Sequence, residues 1–170
     1  MSVEEEVREL RELLETEDLV PGVALTAADK FSTEARDTVI AETAGQFDPP
    51  PSGRLLARLL PLVTDASKSV LIGAYLASLH SPDPPARRAS LEGLAALGYP
   101  QIADLALAVL RDDDDSVVGS AVQILVPLAA RDEHIRSLLT GLYAARRGDP
   151  DFYLTTTMLD AHGIKPEENP

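Results

Sequence analysis

Small and apolar residues in the middle of the chain recur at four-residue steps, and each stripe follows a turn. After the turn from Ser81 to Pro85 they fall at Ala86, Ser90 and Leu94; after the turn from Asp112 to Asp115 they fall at Val117, Ala121 and Leu125. Spacing of i, i+4, i+8 places the three on one face of a helix. The two segments superimpose at a shift of 31 residues (112 − 81). One more step back reaches the turn at Pro50, with Leu55, Leu59 and Val63 in the same slots. A second helical pattern precedes each turn: Leu71, Leu76 and Leu79 before Ser81, and Ile102, Leu107 and Leu110 before Asp112. Before Pro50, the stretch from Thr33 to Phe47 keeps a partial stripe at Val39, Ile40 and Ala44. The predicted unit is therefore helix A, short turn, helix B. In a fourth, divergent copy Ile135, Leu138, Leu139 and Leu142 form helix A, and the turn from Gly148 to Asp151 opens a shorter helix B through Leu159. Pro61 and Pro127 fall in or near the ends of B helices, where proline kinks or stops a helix.

These residues form a pattern: an apolar helix A, a turn of the form D-x-D/P, an aliphatic residue, an Arg, then a small residue and a Leu at four-residue steps. It resembles the HEAT-repeat family, in particular the short HEAT-like units of phycobilisome lyases. The resemblance covers residues 33–162. The family's turn Asp is matched by Asp112 and replaced by Ser81 in the preceding unit; its helix-B Arg is matched by Arg87 and replaced by Val118 in the next. The resemblance implies an all-α fold, a right-handed α-solenoid of about four helical hairpins stacked to bury faces that no single pair can cover. It also implies an Arg87 bond to an Asp of the neighbouring turn, with Asp112 the candidate. In such repeats the B helices line the inner curve, and their solvent-facing slots here are Arg88 and Glu92 in one unit and Gly119 and Gln123 in the next. Those four are the candidate partner-binding residues.

The chain reads as one domain, 1–170, with an acidic helix at 1–20 and a flexible tail at 163–170. Val3, Val7, Leu10 and Leu14 are spaced 4, 3, 4, the seam of a short coiled coil, and Glu4 with Arg8 and Arg11 with Glu15 are supporting i,i+4 pairs. This helix is expected to cap the first repeat or, alternatively, to pair with a second copy or dock on another protein. The connection from Glu17 to Ser32 holds the turn signal Pro21-Gly22 and a short helix around Thr26 to Lys30.

Composition adds that the core is aliphatic. Leu and Ala number 26 and 23 of 170 residues, whereas Phe and Tyr number three and four and Trp is absent, which favours helices over sheet. Fifteen basic residues against 28 acidic ones leave a net charge of −13, unsuited to nucleic acid or anionic membranes. The first 20 residues hold eight acids and two bases, net −6. Cysteine is absent, so disulfides, thiolate metal sites and a cysteine nucleophile are excluded. No apolar run reaches the roughly 18 residues of a membrane span. The N-terminus is acidic where a signal peptide is basic, so a cytoplasmic protein is expected.

Chemistry is sparse. Asp112 to Asp115 lack the central Gly and twelfth-position Glu of a calcium loop and suit helix capping. His80, His134 and His162 form no metal-ligand spacing, and no GxSxG, SxxK or phosphate-cradling glycine loop accompanies a serine. Arg146 and Arg147 close the last helix A, favourable to its dipole. The four tyrosines, Tyr75, Tyr99, Tyr143 and Tyr153, suit inter-repeat packing or, if exposed, a partner. The expectation is a non-enzymatic protein-interaction module, needing no cofactor, whose partner is a protein with a basic surface. Two other readings stay open: a lyase or lyase accessory for bilin attachment, implied by the resemblance, and an acidic inhibitor or nucleic-acid mimic. Leu94 and Leu125 are the strongest core positions. Replacing either by Ala is expected to cost about 2–5 kcal/mol in chemical denaturation.

Overall fold

The computed structural model describes residues 1–15, 28–46, 51 and 54–166. Every regular element among them is helical: α1 (Val3–Glu15), α2 (Thr33–Gln46), α3 (Arg54–Leu59), α4 (Asp65–Ser78), α5 (Pro84–Ala96), α6 (Ile102–Val109), α7 (Asp115–Ala129), α8 (Glu133–Arg146) and α9 (Tyr153–Ala161), with 3-10 turns at Leu60–Leu62 and Pro150–Phe152. Pro21-Gly22, most of the turn at Pro50 and the last four residues lie outside the described residues.

The repeat seen in the sequence reappears as element starts. α5 and α7 begin 31 residues apart (115 − 84), and so do α6 and α8 (133 − 102). Helix contacts run along the chain: α1 on α2, α2 on α4, α4 on α5, α5 on α6 and α7, α6 on α7, and α7 on α8 and α9. That order is consistent with a helical repeat.

Local chemistry starts each helix where it does. Thr64 caps α4 in a reciprocal box, its hydroxyl accepting from the Ser67 N–H at 3.2 Å while the Ser67 hydroxyl accepts from the Thr64 N–H at 2.8 Å. Pro84 and Pro85 open α5, where their missing N–H groups cost nothing. Asp132 caps α8 by accepting from His134 and Ile135. Pro61 sits in the 3-10 turn that ends α3 after six residues, whereas α7 runs through Pro127 to Ala129.

The first B helix therefore departs from the expected stripe. Leu56, Leu59 and Leu62 are its buried residues, while Leu55 and Val63 are only half-buried. In α5 and α7 the stripe holds, with Ala86, Ser90, Leu94, Val117, Ala121 and Leu125 all buried.

The buried side chains form two clusters with α5 between them. Leu94 and Leu97 face the first, alongside Leu10, Ile40, Leu71 and Tyr75; Leu91 faces the second, with Val122, Leu125, Leu139 and Leu159. α1 belongs to the first cluster. Leu10 is fully buried there, and Arg11 makes a bidentate pair with Glu42 of α2, so the apolar seam of α1 is covered within its own chain. At the other end Gly163 and Ile164, expected in the tail, belong to the packed structure. Gly163, at φ 67°, ends α9 so that the Ile164 N–H returns to the Leu159 carbonyl at 2.9 Å and Ile164 is buried in the second cluster.

A close contact joins α4 and α5 at Tyr75 and Gly93. Tyr75 is fully buried, its hydroxyl donates to the Pro51 carbonyl, and burial pushes its pKa up to about 12, so it remains a donor. Its ring fills the space over Gly93, where an added Cβ would stand 2.3 Å from the ring. Gly93→Ala therefore forces the ring or the helix to move. The expected loss is about 1–3 kcal/mol of stability despite the better helix propensity of Ala, measured by urea unfolding.

Candidate functional site

The turn from Asp112 to Asp115 joins three consecutive B helices. Arg87 of α5 donates to both oxygens of Asp112 at 2.8 and 2.7 Å, and to Asp113 at 3.2 Å. The same guanidinium also reaches the carbonyls of Ser81 and Pro82. Asp114 caps α7, accepting from Ser116 and Val117. Asp115 reaches forward to α9, where it accepts the N–H groups of Leu154 at 2.6 Å and Thr155 at 2.9 Å. These are donors that the first turn of a helix leaves without an internal partner. The expected Arg87 partner is thus in place, and Asp112, Asp114 and Asp115 are engaged by internal donors.

The electrostatics follow from these partners. Burial by itself would raise the Asp112 carboxyl, but the Arg87 bonds, the Asp114 N–H and the arginine's charge together hold it below the usual carboxylate range. Hydrogen bonds from Ser116, then from Val117, hold Asp114 low as well. The bond to Asp112 raises Arg87 in turn.

The four candidate contact residues on the B helices separate. Arg88 and Gln123 are exposed. Glu92 is half-exposed and already bonded, accepting from the Ser120 hydroxyl at 2.8 Å and lying 3.8 Å from Arg88 one turn away. Gly119 is not solvent-facing as the repeat register implied: it is buried, and an added Cβ would lie 3.2 Å from Leu154 and 3.6 Å from Met158. The cause is the fourth unit, whose turn comes late and lays α9 across this part of α7. The predicted row is therefore interrupted at its centre.

The open surface lies instead on the A helices. Between α6 and α8 is a groove of about 630 Å³ lined by Leu107, Leu110, Arg111, Leu138, Gly141 and Leu142, with Ala108 and Ala145 completing its walls. Leu138, which the stripe placed with the core-facing residues, is 42% exposed there. The reason is length. α6 has eight residues and α8 has 14, about 12 and 21 Å, so α6 is too short to cover its neighbour.

The tyrosines divide likewise. Tyr75 and Tyr143 are buried and Tyr99 packs against the first cluster, whereas Tyr153 is 72% exposed. Arg146 stacks 3.7 Å from the centre of the Phe152 ring and lies 3.7 Å from Asp149. The three histidines are exposed. Among the described residues no helix is long and apolar enough to cross a membrane.

No protein-family model matches the chain, and neither the curated proteins nor the solved structures contain a match.

Arg87→Ala is expected to cost about 2–3 kcal/mol at pH 7, since it leaves a half-buried carboxylate without its donor. Because the folded-state pKa of Asp112 is depressed, its contribution is complete above about pH 4 and is lost as pH falls further. The gap between wild type and variant in urea unfolding is accordingly expected to narrow below pH 4.

Proposed function

We propose that the protein is a non-enzymatic protein-interaction module, a small right-handed solenoid of four HEAT-like hairpins with α1 as its cap, working in the cytoplasm. The observation that carries this reading is the apolar groove left open between α6 and α8, set on a run of helices that otherwise bury their apolar faces against each other. Exposed apolar surface bordered by polar residues suits contact with another macromolecule. Arg88 and Gln123 are the solvent-facing members of the B-helix row and form a second, polar contact surface.

The charge distribution supports a basic partner at the N-terminal end. Of the net −13, −6 belongs to the first 20 residues, where Glu4, Glu5 and Glu12 are exposed. By contrast, Asp112, Asp114 and Asp115 are committed to internal donors and offer less to a ligand. Acidic side chains of this kind steer a basic partner and make its association salt-dependent.

Affinity purification with the full chain at low and high salt tests the reading. A stoichiometric protein partner is expected at low salt, released at high salt and weakened by the pair Glu4→Gln and Glu12→Gln. Retention that ignores both salt and these substitutions counts against the charge-steered contact, and absence of any protein partner counts against the module itself.

A further inference from the structure

We draw no further inference here: the strongest candidate, the apolar groove between α6 and α8 lined by Leu107, Leu138 and Leu142, carries nothing because nothing in the structure shows what covers it.

Discussion

Four carboxylates at adjacent positions repel one another unless each finds its own donor, and between Asp112 and Asp115 the donors come from three different helices. Arg87 reaches back from α5, the first N–H groups of α7 take Asp114, and those of α9 take Asp115. Each bond is charge-assisted and therefore stronger than a neutral one. The capping bonds also satisfy N–H groups that a helix start leaves open. The turn thus sets the spacing of the B helices, and the apolar clusters on either side close around it. Ser120 with Glu92 adds a further link between α5 and α7.

Packing explains why the repeat is regular in the middle and irregular at its ends. α5 presents Leu94 to one cluster and Leu91 to the other, so small residues at Ala86, Ala89 and Ser90 let neighbours approach from several sides. Tyr75 takes the largest share of that space, which Gly93 leaves free. In the next unit Ala106 stands at the equivalent position. α6 is also short, and the space beside α8 stays open to solvent. The groove follows from the difference in length between α6 and α8.

The two ends of the chain differ in charge as well as in packing. α1 brings its carboxylates to the surface while burying Val7 and Leu10, and it is held by Arg11 with Glu42. The helices at the other end carry arginines that lack carboxylate partners among the described residues.

Helix class, the 31-residue spacing between the starts of α5 and α7, the capping role of the aspartates, the Arg87 partner and the core positions Leu94 and Leu125 were all legible in the sequence, because each depends on neighbours within one or two turns or on a repeated register. The position of Gly119 was not: the register made it solvent-facing, but α9, which starts late, covers it. Nor was the trans cap from Asp115, whose acceptors are matched to N–H groups 39 and 40 residues away. The groove depended on how far α6 extends beside α8, which is a matter of relative helix length. Local sequence determined where helices begin and which face is apolar, since those follow from backbone donors and a 3.6-residue period. Only the tertiary arrangement decided which apolar residues remain uncovered, because burial belongs to pairs of elements and no single stripe contains its partner.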